Sequence, residues 1–141
     1  MEFNEKTLKA LALSKINRKK PYRPVKVVPH DPRRNPLLTK EITGWFGTEG
    51  AILGRMPEEL ERVLGFQVGY LAHGFDVFTF TRDIEATDFD LLGAYTHLPG
   101  GKEWDGKDLK WPPGLGVPQW KLKTNVPCQF LATVPRGSVY R

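Results

Sequence analysis

The chain has 141 residues, 40% hydrophobic, 26% charged and 11% aromatic, a composition that suits one soluble globular domain. No apolar run approaches the roughly 18–20 residues of a membrane-spanning helix, and the one cysteine, Cys128, excludes an internal disulfide framework and a cysteine-based zinc site. The net charge of +5 divides into +8 over residues 1–40 and −3 over residues 41–141, so the basic character belongs to an N-terminal arm and not to a face of the body.

Residues 4–18 carry Leu8, Leu11, Ala12 and Lys15 at helical spacing, widened by Leu13 and Ile16 and preceded by Asn4 as N-cap, which predicts an amphipathic helix. Residues 21–37 hold five prolines and are expected to be an extended connector with one short strand at 25–28. A basic arm over 1–37 and a compact domain over 38–141 are the expected organisation.

Within the body, residues 41–54 place Trp45 and Phe46 among four glycines, the pattern of short strands joined by tight turns. Pro57–Leu64 is the clearest helix: proline suits its first position, Glu58, Glu59 and Glu61 favour its positive end, and Gly65 suits its C-terminal cap. Residues 75–82 form the strongest strand, apolar on both faces and therefore central. A further strand is expected over 91–97. Residues 98–118 hold five glycines and four prolines and are expected to be a long loop. Strands over 119–124, 128–134 and 138–141 close the chain. The predicted fold class is α+β, a small twisted, mostly antiparallel sheet with one or two short helices and long Gly/Pro-rich loops. A wholly β, barrel-like domain is the alternative.

The residue types exclude some chemistry. Ser14 and Ser138 are the two serines and neither lies in Gly-x-Ser-x-Gly. Cys128, in a strand between Pro127 and Phe130, is expected to be a buried, inert thiol. His30, His73 and His97 lack metal-ligand spacing, so no metal is expected. The acidic run Asp83, Glu85, Asp88 and Asp90, with Asp108 and Lys110 further on, has the ingredients of a magnesium-dependent nuclease, but a solvated acidic turn accounts for it better. Metal-free RNA cleavage needs a general base, an acid and a cation at phosphate, for which His73, His97, Arg55 and Lys110 are candidates by type. Trp104 and Trp111 can stack on a nucleobase or nicotinamide, or anchor their loop to the sheet.

The most specific segment is Pro112-Pro113-Gly114-Leu115-Gly116-Val117-Pro118-Gln119-Trp120, a glycine bend leading into a glutamine whose amide both donates and accepts. With Phe46-Gly47-Thr48-Glu49-Gly50 and the strand over 75–82, it resembles NAD-glycohydrolase toxin domains of the tuberculosis-necrotizing-toxin type, in the broad ADP-ribosyltransferase-like group. The resemblance covers about residues 44–122. It implies a bacterial effector domain that hydrolyses NAD or transfers ADP-ribose, with NAD as its substrate. Gln119 is the one residue that carries over from the motif, to orient the ribose or the attacking water, although Pro118 here separates it from the turn that in the family leads straight to the glutamine. Arg55 takes the place of the family's arginine, because Gly44 and Trp45 precede the early glycine turn here. Glu49 is assigned to polarise the pocket, Gly114 and Gly116 to approach the ligand, and Trp104 or Trp111 to cover the nicotinamide.

Two alternatives stand beside it. One is a ribonuclease toxin acting through His, Arg and Lys. The other is a non-enzymatic module whose arm over 1–37 engages nucleic acid or an acidic protein. A cognate inhibitor is a further expected partner, and no membrane span is expected. With no secretory leader in view, a soluble protein, cytoplasmic where made, is expected, with any delivery into another cell following a route without a classical signal peptide.

Overall fold

A computed structural model describes residues 23–89, 101–102, 110–111 and 119–141. The expected helix over 4–18 and strand over 91–97 lie outside these residues. The elements are β1 (Pro24–Pro29), β2 (Glu41–Thr48), α1 (Glu49–Ile52), α2 (Pro57–Leu64), β3 (Phe75–Phe80), β4 (Gly101–Lys102), β5 (Lys110–Trp111) and β6 (Trp120–Val134), with short 3-10 turns at Pro36–Leu38 and Ala86–Asp88. Mixed strand and helix agree with the expected class, but the sheet is a closed barrel in the order β1-β2-β6-β3, with β3 returning to β1, and not an open twisted sheet. All four barrel ladders are antiparallel.

Closure depends on two features. First, the strand foreseen at 25–28 is present as β1 and pairs with β2 and, from Val25↔Thr79 to Pro29↔Phe75, with β3. The barrel's first strand thus comes from the segment assigned to the arm. Second, the strands expected over 119–124 and 128–134 are one 15-residue strand, β6. Its first half pairs with β2, from Trp120↔Phe46 to Pro127↔Glu41, and its second half with β3, from Cys128↔Phe80 to Val134↔Phe75. Pro127 sits where the partner changes: its carbonyl accepts from Thr81 N–H and the Cys128 N–H donates to the Lys40 carbonyl. A proline, which has no N–H to give, is tolerated at such a corner. Residues 41–54 likewise form one strand and the α1 turn in place of several short strands.

β3 is buried at all six positions, as its composition predicts. Phe75 and Val77 enter one core with Val25, Val27, Leu60, Val63 and Leu64, while Phe78 and Phe80 enter a second with Ile42, Trp120, Leu122 and Val126. Phe46 centres the second core, edge-on to Phe80 at 5.1 Å between centroids and stacked on Trp120 at 5.7 Å. Truncating a ring buried in this way costs about 3–5 kcal/mol.

α2 has the predicted bounds, with Gly65 in the left-handed conformation at φ 79° as its cap. The loop region over 98–118 contains a two-stranded ladder, Gly101↔Trp111 and Lys102↔Lys110. Over 138–141, a single parallel bridge joins Tyr140 to Leu53. Among the described residues, no helix is long and apolar enough to cross a membrane.

Candidate active site

The β1–β3 ladder ends by placing histidines together. Beyond Pro29↔Phe75, the His30 N–H donates to the Gly74 carbonyl at 3.1 Å, so His30 faces the residue that follows His73. Gly74 makes this approach possible. It has φ +87°, and a Cβ there would lie 2.2 Å from the Val134 carbonyl oxygen, a position no other residue can occupy without moving backbone.

After His30 the chain turns through Asp31-Pro32-Arg33-Arg34. The Arg34 N–H donates to the Asp31 carbonyl at 2.9 Å, and the Asp31 carboxylate accepts the Arg33 N–H at 2.9 Å, the Asx-turn chemistry that aspartate supplies. The Arg33 guanidinium also donates to Asp31 and holds its carboxyl below the ordinary value. Arg34 donates one guanidinium N–H to the Pro29 carbonyl at 2.9 Å. The result is an open groove of about 640 Å³ lined by His30, Asp31, Arg33, Arg34, Tyr70 and His73, with Val28, Pro29 and Pro32. That volume falls within the roughly 300–1,000 Å³ of small-ligand sites.

Asp76 stands behind His30. It is 1% exposed, lying in β3 opposite Val28 and Thr133. Its Oδ1 accepts from His30 Nδ1 at 3.0 Å and from the Thr133 hydroxyl at 2.7 Å, while its Oδ2 is buried without a hydrogen-bond partner. A carboxylate only accepts, so Nδ1 is the donor in this contact, and in a neutral ring that fixes the tautomer with its lone pair on Nε2. Burying a half-satisfied carboxylate costs stability, and orienting a histidine is a function that accounts for it.

The residues nominated from sequence sit elsewhere. Glu49 is fully buried, held bidentately by Arg23 at 3.0 and 2.7 Å and by the Tyr140 hydroxyl, which donates to it. These contacts tie the start of β1, α1 and the C-terminal segment together. Burial and Glu49 push the Tyr140 hydroxyl up to about 12, and the hydrogen bond to Glu49 raises Arg23. Gln119 is buried, and its amide donates to the Leu64 carbonyl at the end of α2. Arg55 pairs with Glu59 one helical turn on. The three are bonded to different parts of the fold, Gln119 to the Leu64 carbonyl, Arg55 to Glu59, and Glu49 to Arg23 and Tyr140.

Trp104, Gly114, Gly116, His97, Asp90 and Asp108 lie outside the described residues, and only the strand position of Lys110 and Trp111 is described. Asp88 is structural. It accepts two guanidinium bonds from Arg82, the Glu85 N–H and the Thr124 hydroxyl, and Arg82 chiefly holds its carboxyl well below the usual range. No group of three His, Cys, Asp or Glu that could hold a metal ion occurs among the described residues. Cys128 is partly buried, its thiol pushed up by desolvation and set 3.6 Å from the Thr39 carbonyl.

The basic arm is divided in its roles. Arg23 and Lys26 bond inside the fold, Lys26 Nζ donating to the Trp45 carbonyl at 2.8 Å, whereas Arg33 and Arg34 line the groove. Of the groove residues, the sequence alone points to His73 as a candidate for RNA cleavage and not to His30, Arg33, Arg34 or Tyr70, nor to Asp76 behind them. One available signal was a carboxylate in the middle of Phe-Asp-Val-Phe-Thr-Phe, an otherwise apolar strand.

Compared with known proteins, the chain matches no family model, no curated protein and no solved structure.

Proposed function

We propose that the protein cleaves RNA by acid–base catalysis in the groove between His30 and His73. The observation that carries the proposal is the union of His30, backed by buried Asp76, with His73, Arg33 and Arg34 on one groove. His30 Nε2 takes the proton of a ribose 2′-hydroxyl, and the 2′-oxygen attacks the adjacent phosphorus. As the bond from phosphorus to the 5′-oxygen breaks, protonated His73 donates a proton to that oxygen. The products are a 2′,3′-cyclic phosphate and a free 5′-hydroxyl. Arg33 and Arg34 bind the phosphate and offset the charge that grows on its oxygens. The NAD-directed reading rests on Gln119, Arg55 and Glu49, whose side chains bond within the fold. The groove therefore gives the RNA reading the stronger support.

The test is incubation of the full chain with RNA and, in parallel, with NAD, in the presence of a chelator. RNA fragments ending in cyclic phosphate are expected, with NAD intact. His30→Ala and His73→Ala should each lower the rate about 10²–10⁴-fold. Loss of NAD without RNA cleavage, or cleavage that survives both substitutions, would reject the proposal.

A further inference from the structure

The loop between α2 and β3 presents the Tyr70 ring to the groove and fastens the residue on each side of it in the chain. Tyr70 lines the groove and is 39% exposed. The residues flanking it are fastened to one buried carboxylate: Glu61 Oε1 accepts the Gly69 N–H at 3.0 Å, and Glu61 Oε2 accepts the Leu71 N–H at 2.7 Å. Glu61 is 6% exposed in the middle of α2, and Leu71 is buried in the core below. Phe66 packs against the Tyr70 ring at 4.7 Å between centroids. A further bond from the Tyr70 N–H to the Gln67 carbonyl closes the turn.

The bond to Leu71 satisfies a buried backbone donor, and with the bond to Gly69 it also sets Tyr70 in place before a ligand arrives, which removes the entropic cost of ordering it at binding. The ring shares the groove with the arginines and histidines, so a ligand there has an anionic part and a flat part.

We infer that Tyr70 is the nucleobase platform of this groove, stacking a base of single-stranded RNA beside the phosphate that Arg33 and Arg34 hold, with Glu61 as its positioning residue. The inference rests on the RNA-directed reading of the groove and supplies its substrate class: unpaired nucleotides, since a base in a duplex has no free face to offer.

The test uses the full chain and an end-labelled 2′-O-methyl oligonucleotide, which has no 2′-hydroxyl to attack, compared with an abasic strand of the same length and charge. Binding is read by fluorescence anisotropy. The base-bearing strand should bind more tightly. Tyr70→Ala should weaken that strand about tenfold and leave the abasic strand unchanged, and Tyr70→Phe should retain the difference. Glu61→Gln should give an intermediate loss confined to the base-bearing strand, with circular dichroism showing an intact barrel. Equal binding of the two strands by the parent protein, no binding of either, or an equal loss on both strands in Tyr70→Ala would overturn the inference. Base-dependent binding without any RNA cleavage would reject the catalytic proposal and leave this one standing.

Discussion

The Nδ1 of His30 lies 3.0 Å from Oδ1 of Asp76, a residue buried to 1% exposure whose second oxygen has no hydrogen-bond partner. On the proposed reading the pair costs stability and organises chemistry, so its two effects separate under substitution. Asp76→Asn removes a buried charge and keeps the shape of the side chain. The amide no longer fixes the proton on Nδ1, and RNA cleavage should fall on the order of 10²-fold or more. The melting temperature should hold or rise, because a buried charge is removed while the amide nitrogen that replaces Oδ2 is no worse partnered than the oxygen was. Parallel thermal melts and single-turnover rates check both halves. A protein that unfolds while keeping its rate per folded molecule would assign Asp76 to structure alone.

Glu49 is the counter-case, a buried carboxylate whose two oxygens are both occupied. Arg23 and Tyr140 converge on it from distant parts of the chain, and the Glu49 N–H also donates to the Arg23 carbonyl at 2.8 Å. Glu49→Gln leaves the Arg23 guanidinium half-buried without its counter-charge. The expected loss is about 2–4 kcal/mol in urea denaturation, and Tyr140→Phe should lose about 1 kcal/mol. RNA cleavage per folded molecule should be unchanged in both. An unaltered unfolding midpoint in Glu49→Gln would contradict the structural role.

These two carboxylates also show what the sequence made legible. Pro57–Leu64 could be read because each signal is local: a proline at the first position, acids in the first turn and a glycine cap. β3 could be read because its residues are apolar on both faces. Barrel closure could not, since it depends on β1 finding β3 some fifty residues away and on Pro127 marking a change of partner where it suggested a break. The groove was hidden for the same reason. His30 and Asp76 are 46 positions apart, and His30 comes to share a groove with His73 through its bond to Gly74 beyond the last rung of that ladder. Gln119 stands out because glycines and prolines precede it, yet it is buried against the Leu64 carbonyl at the end of α2, a partner 55 positions away that no local pattern announces.

Lys26 gives a prediction with a definite sign. Burial pushes its ammonium down to about 8 from an ordinary 10.5. Below pH 8 the lysine is charged in both folded and unfolded chains, and the cost of burying the charge is felt in full. Between about 8 and 10.5 the folded protein has released the proton while the unfolded chain still holds it, so this group makes stability rise with pH. Two others oppose it. Burial raises the Cys128 thiol above 9.0, and Tyr140 is pushed up to about 12, so both stay protonated in the fold after they would ionise in the unfolded chain. Comparing the parent with Lys26→Met cancels those shared contributions. At pH 7 the variant should be more stable by about 1–3 kcal/mol, less whatever the lost bond to the Trp45 carbonyl contributes. The advantage should shrink steadily in urea titrations at pH 8, 9 and 10. A difference between the two proteins that does not vary with pH would show that Lys26 keeps its charge inside the fold.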